Sequence, residues 1–104
     1  MRRAARVDAN QAEITTALRR AGASVFPTHA IGGGFPDLVV GYRGINYLLE
    51  IKDGSLRPSK QRRTKGEERF DNDWRGTVHL VNSSLFALEV IGVQELVSPP
   101  ENGG

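Results

Sequence analysis

The chain has 104 residues, no cysteine and a formal net charge of +2, with 38% hydrophobic and 25% charged residues. This length allows a modest hydrophobic core, and the absence of cysteine excludes both disulfides and thiolate-bound zinc. No apolar run is long enough to cross a bilayer or to serve as a secretory signal, so we expect a cytoplasmic protein with no membrane partner.

The composition changes only at the C-terminal end, where "SPPENGG" is rich in proline and glycine. Such a segment has little apolar surface to bury and tends to fray. We therefore expect a single domain over residues 1–98 and a flexible tail over residues 99–104.

The first predicted element is a helix over residues 8–21. Asp8 is a suitable N-cap, and Gly22 is a suitable residue to end the helix. The apolar residues of this segment form one stripe at helical spacing, and Asn10 and Glu13 run along one flank of that stripe.

A short strand over residues 23–29 comes next, and Pro27 suggests that it lies at an edge of the sheet or ends there. A glycine-rich loop leads from it to a β-hairpin. The two strands of the hairpin, residues 37–42 and 45–52, are joined by Arg43 and Gly44 as a tight turn.

A two-residue turn determines which side chains of the hairpin face each other. It places Asp37 directly opposite Glu50, and Lys52 lies on the same face one pleat further along. The opposite face of the hairpin is wholly apolar.

The remaining elements are a helix over residues 64–74, a strand over residues 77–82 and a helix over residues 84–92, capped by Ser84 and ended by Gly92. The strand–helix–strand order predicts a parallel neighbour for the second hairpin strand. The fold class is therefore α/β in the broad sense, an α+β fold with a four-stranded mixed sheet, the element order αβββαβα and helices on both faces.

The hairpin places two acidic residues, Asp37 and Glu50, directly opposite each other. Two carboxylates that face each other across a sheet repel, and partial burial increases the cost. A hard divalent cation resolves this conflict, because Mg²⁺ prefers oxygen ligands and is commonly held by one or two carboxylates. The alternative is a surface pair of Glu50 with Lys52, and Asp37 capping a turn.

The segment "GGGFPDLVVG…NYLLEIKDG" resembles the PD-(D/E)xK nuclease superfamily, whose restriction-endonuclease-like core has the order αβββαβ. It is similar, more narrowly, to the small virus-type replication-repair nuclease (VRR-NUC) domains of phages. The resemblance implies an endonuclease that hydrolyses DNA phosphodiester bonds with Mg²⁺ or Mn²⁺, encoded by a phage or derived from one and acting in a bacterial cell.

The resemblance also implies a set of site residues. Asp37, Glu50 and Glu13 would bind the metal together with the backbone carbonyl of Ile51. Lys52 would activate the attacking water or stabilise charge on the phosphate.

A basic loop that contains five cations and no acid follows the hairpin, and we expect it to bind the DNA backbone through Arg57, Lys60, Arg62, Arg63 and Lys65. Relatives often carry glutamine where Glu67 stands here. This difference leaves the role of Glu67 open, and the roles of Gln61 and His29 are open as well. Trp74 is expected to be a packing residue, and the alternative is a base-stacking platform.

The absence of a base-reading module favours structure-selective cleavage, and the family resemblance suggests a homodimer that cuts branched DNA such as a four-way junction. The alternatives are a non-selective nicking nuclease, an RNA nuclease and a non-catalytic nucleic-acid-binding module.

Overall fold

A computed structural model of the chain describes residues 9–52 and 65–93. Its elements are α1 (Ala9–Arg20), β1 (Ser24–Pro27), a 3₁₀ turn (His29–Ile31), β2 (Leu38–Tyr42), β3 (Ile45–Ile51), α2 (Lys65–Asp73), β4 (Val78–Val81) and α3 (Ser84–Val90). Helices and strands follow one another in the predicted order. The predicted cap Asp8 and the C-terminal tail lie outside the described residues.

The four strands form one sheet in the order β1-β2-β3-β4. β1 pairs with β2 and β2 pairs with β3 in antiparallel orientation, whereas β3 and β4 are parallel. The predicted mixed sheet with three helices is confirmed. β1 is an edge strand and ends at Pro27, as its proline predicted, since proline cannot donate a ladder hydrogen bond.

The hairpin turn has the predicted geometry. Arg43 and Gly44 have φ angles of 53° and 82°, which is the left-handed backbone of a type I′ turn. Leu38 then pairs with Leu49, so that one further step along the two strands brings Asp37 opposite Glu50.

Glycine ends α1 where the sequence predicted it. Gly22 has a φ of 100°, its N–H donates to the carbonyl of Arg19, and the N–H of Ala23 donates to the carbonyl of Leu18. This pair of bonds is a Schellman motif, which satisfies carbonyls that the end of a helix leaves unpaired.

The start of α3 differs from the prediction by one residue. Ser83, not Ser84, is the N-cap: its backbone is extended and its Oγ accepts a 3.1 Å hydrogen bond from the N–H of Phe86. Ser84 is already the first helical residue. A capping hydroxyl must lie before the first turn in order to reach the free N–H groups of that turn. Gly92, with a φ of 85°, follows the helix as predicted.

The hydrophobic core lies between one face of the sheet and two helices. α1 and α3 contact each other, and they pack on the apolar face of the hairpin. The buried apolar residues are Ile14, Leu18, Ala23, Val25, Leu38, Val40, Leu49, Ile51, Val81, Ala87, Leu88, Ile91 and Val93. No helix among the described residues is long and apolar enough to cross a membrane.

The second face of the sheet is covered less than predicted. Strand pairing places Phe26, Val39, Leu48 and Val78 in one row across this face, and Phe26 remains 71% exposed. α2 reaches the second face with its first turn, through Glu67. With nine residues and no buried side chain, α2 lacks an apolar stripe that could cover the row.

Candidate active site

Asp37 stands directly before β2 and is tied to the neighbouring strand. Its Oδ2 accepts a 2.8 Å hydrogen bond from the backbone N–H of Ile51. This bond takes the place of a ladder hydrogen bond just before β2 begins, and it fixes one oxygen of the carboxylate. The second oxygen, Oδ1, is not used by this bond.

The carbonyl of Ile51 lies on the side of β3 that faces Asp37. The N–H of Lys52 donates to the carbonyl of Val81 on β4, at 2.9 Å. Because the C=O and N–H of one trans peptide point in opposite directions, the Ile51 carbonyl is directed away from β4 and toward Asp37. This direction agrees with the ligand role that the resemblance implies.

Glu50 and Lys52 are buried side by side at the end of β3. Their exposed fractions are 4% and 8%, and Lys52 Nζ lies 3.6 Å from Glu50 Oε2. A shorter contact, 3.1 Å, joins Lys52 Nζ to Glu67 Oε1 on α2. One ammonium thus meets two carboxylates, with Asp37 near enough to interact electrostatically with all three groups.

The excess of acid changes the proton affinity of the site. Burial, the hydrogen bond with Glu67 and the negative charges of Asp37 and Glu67 raise the pKa of Glu50 to about 9, against the opposing effect of Lys52. Burial also raises the pKa of Asp37, although the hydrogen bond from Ile51 acts in the opposite direction. Without a cation, Glu50 therefore holds a proton at neutral pH.

Thr28 anchors the segment before Asp37. Its Oγ1 donates to the carbonyl of Pro36 and its N–H donates to the carbonyl of Asp37, both at 2.7 Å. Thr28 is itself buried. His29 follows, interacts electrostatically with Asp37 and has a buried Nδ1 that lacks a hydrogen-bond partner among the described residues.

The glycine-rich loop is packed against α2 and is not an open loop. Gly34 has a φ of 81°, and a Cβ at this position would overlap the backbone of Gly66 in the first turn of the helix. Close approach of two backbones thus holds Glu67 in position over the end of β3.

α1 reaches the site through Asn10. The Asn10 side-chain N–H₂ donates to the carbonyls of Lys52 at 2.8 Å and Asn82 at 3.2 Å, which joins the ends of β3 and β4. Glu13 lies one turn further along α1 and is exposed, and its side chain makes no hydrogen bond or ion pair with another described residue. The predicted metal-binding role of Glu13 stays a prediction.

The basic loop contributes little to the described geometry. Of its five predicted DNA-binding cations, only Lys65 lies in the described residues, at the exposed start of α2. Arg57, Lys60, Arg62, Arg63 and also Gln61 lie outside them.

The donor set fits a hard divalent cation. The carboxylates of Asp37 and Glu50 and the carbonyl of Ile51 offer only oxygen atoms, and Mg²⁺ is typically held by one or two carboxylates plus waters and substrate phosphate. The site also carries more carboxylate than one ammonium can neutralise. In residues 9–52 and 65–93, however, no three His, Asp or Glu side chains are arranged to hold a metal as they stand.

Sequence reasoning assigned no role at this site to three residues that shape it. Asn10 gave only a weak signal, its position beside the apolar stripe of α1. Thr28 gave none, because its buried hydrogen bonds depend on how residues 28 and 36 meet in space. Glu67 was noted as a departure from the family pattern, and the structure shows it paired with Lys52.

Comparisons of the chain with protein-family models, with curated proteins and with solved structures gave no match. The interpretation of the site therefore depends on its residues and their geometry.

Proposed function

We propose that this chain is a Mg²⁺- or Mn²⁺-dependent endonuclease that hydrolyses DNA phosphodiester bonds in the bacterial cytoplasm. One observation carries the proposal: Asp37, Glu50, Lys52 and the carbonyl of Ile51 converge at one end of a rigid hairpin. Binding of nucleic acid alone has no need for buried carboxylates, which repel phosphate.

The metal would be held by Asp37, Glu50 and the Ile51 carbonyl, and when bound it would polarise a phosphate oxygen and lower the pKa of an attacking water. Asp37 is held in place by its bond from the Ile51 N–H. A preorganised ligand of this kind loses little entropy on binding.

Lys52 is the residue of the chain that brings a positive charge into the candidate site. Its ammonium is buried and held 3.1 Å from Glu67, so that it can shift from Glu67 to a substrate phosphate or donate a hydrogen bond to the attacking water. Water attacks phosphorus and gives up a proton, the bond from phosphorus to the 3′-oxygen breaks, and that oxygen takes up a proton in exchange. The products are a 5′-phosphate and a 3′-hydroxyl.

We extend the proposal to a homodimer that cuts branched DNA. One active site cleaves one strand, so symmetric cleavage of a junction needs two sites related by a two-fold axis. Backbone contacts without base readout would make binding salt-dependent and selective for DNA shape.

The test is a cleavage assay with Mg²⁺, Mn²⁺ or EDTA on labelled single-stranded, duplex, nicked and four-way-junction DNA and on RNA. We expect cleavage with metal, and loss of at least about 100-fold in rate in Asp37→Ala and Lys52→Met. Glu68→Gln is the matched control, because it removes an exposed glutamate next to Glu67.

Full cleavage in EDTA, or in either site variant, would contradict the mechanism. RNA cleavage without DNA cleavage would contradict the substrate class, and equal cleavage of every DNA would indicate a non-selective nicking enzyme. Glu13→Ala belongs in the same assay, and normal activity would remove Glu13 from the site.

A further inference from the structure

Three aromatic rings form a continuous ladder that begins beside the candidate site. Phe35 lies two residues before Asp37, and its ring meets Phe70 of α2 edge to face, with ring centres 5.3 Å apart. Phe70 in turn stacks on Trp74, with ring centres 5.1 Å apart and planes 19° from parallel. The ladder connects the loop that carries Asp37 to the far end of α2.

The last ring of the ladder is open to solvent. Trp74 is 43% exposed although Phe70 stacks on it and Gly76 lies close to the edge that carries its Nε1, so part of the indole remains open to solvent. Tryptophan is large and is rarely buried completely, and its exposed aromatic surface is well suited to contact a flat ligand. Trp74 thus packs on Phe70 as expected, and its exposed part is left for a second role.

The charges around Trp74 do not indicate which ligand its exposed ring would bind. Residues 65–75 carry four acidic and three basic side chains, so this segment has no net positive charge of its own. A ligand that approaches Trp74 must gain its affinity from the ring itself. Nucleobases do so, because every base has a flat face and stacking on an aromatic ring tolerates any sequence.

We infer that Trp74 is a stacking platform for an unpaired nucleobase of the substrate. The inference builds on the proposed nuclease function and defines its substrate class: nucleic acid with at least one base outside a duplex stack. Two ring-to-ring steps separate Trp74 from Phe35, a span of at most about three stacked nucleotides. The stacked base would thus lie a few nucleotides from the phosphate that is cleaved.

The chain contains a single tryptophan, so its intrinsic fluorescence reports on Trp74 alone. The experiment titrates the full chain in EDTA, where no cleavage occurs, with oligo(dT), with the same strand carrying abasic sites, and with blunt duplex DNA. Fluorescence is measured alongside the anisotropy of a labelled strand. Trp74→Ala is the test variant, and Phe86→Ala is the matched control, because Phe86 is 40% exposed but lies on α3.

We expect oligo(dT) to quench the fluorescence, and the abasic strand and the blunt duplex to leave it nearly unchanged. Trp74→Ala should weaken binding of oligo(dT) by between about 5-fold and about 150-fold, and Phe86→Ala should not. Absence of quenching, or equal affinities of the wild type and Trp74→Ala, would overturn the inference even if the chain cleaves DNA. Quenching without any cleavage would leave the stacking platform in place and remove the nuclease.

Discussion

Raising the pH in the absence of divalent ions should destabilise the fold, because Glu50 must then lose a proton inside the site. The pKa of Glu50 rises from an ordinary value near 4.5 to about 9 in the folded chain, chiefly through burial. Between these two values the folded state binds more protons than the unfolded state. A raised carboxyl pKa contributes stability that is complete below the unfolded value and is lost as the pH rises through the folded value.

The magnitude follows from proton linkage. One additional proton in the folded state lowers the free energy of unfolding by about 1.4 kcal/mol for each unit of pH. From about pH 6 to about pH 8 the loss is therefore about 3 kcal/mol, a large part of the 5–15 kcal/mol that is typical of a domain. Glu50 is 4% exposed, so solvent screens this effect only weakly.

The assay is urea unfolding at a series of pH values in EDTA, followed by circular dichroism. The wild type should lose stability across the series, and Glu50→Gln should show a much flatter profile because its amide does not titrate. Glu68→Gln, which changes an exposed glutamate, should retain the wild-type slope. Excess Mg²⁺ should flatten the wild-type profile, since the cation replaces the proton. A wild-type profile that is flat in EDTA, or equally steep in Glu50→Gln, would refute the reasoning.

Three further predictions concern the supports of the site. Lys52→Met should lower the free energy of unfolding by about 3 kcal/mol in EDTA, since it leaves the buried acids without their cation. A urea unfolding curve that matches the wild type would contradict the burial of this charge. Gly34→Ala should cost more stability than Gly32→Ala, because both have a φ of 81° but only at Gly34 would the new methyl group overlap α2; equal melting temperatures would show that the close approach is absent. Asn10→Ala should lower the free energy of unfolding by about 1–3 kcal/mol, because it leaves two carbonyls unpaired. Hydrogen exchange at the ends of β3 and β4 should become faster, and unchanged exchange would argue against the role of Asn10 in joining these strand ends.

The hydrophobic core of this small chain covers only one face of the sheet. α1 and α3 together cover the apolar face, whereas Phe26 remains exposed at the edge of the other face. The candidate site occupies the part of that second face that α2 reaches, where polar groups replace apolar packing.

Local sequence determined the elements and the hairpin. Arg43 and Gly44 accept the left-handed backbone of a type I′ turn, and alternation along the strands then places Asp37 opposite Glu50 without any knowledge of the fold. Gly22 and Gly92 end their helices for the same local reason. These features depend on neighbours in the chain, which a sequence displays directly.

Only the tertiary structure decided which residues support the cluster. Asn10 meets Lys52 across 42 positions of the chain, and Glu67 meets it across 15. The close approach of the Gly34 and Gly66 backbones likewise joins distant parts of the chain, and no periodicity in the sequence indicates it. The hairpin predicted the charged residues of the site, whereas the packing of helices against the sheet determined their partners, their burial and therefore their proton affinity.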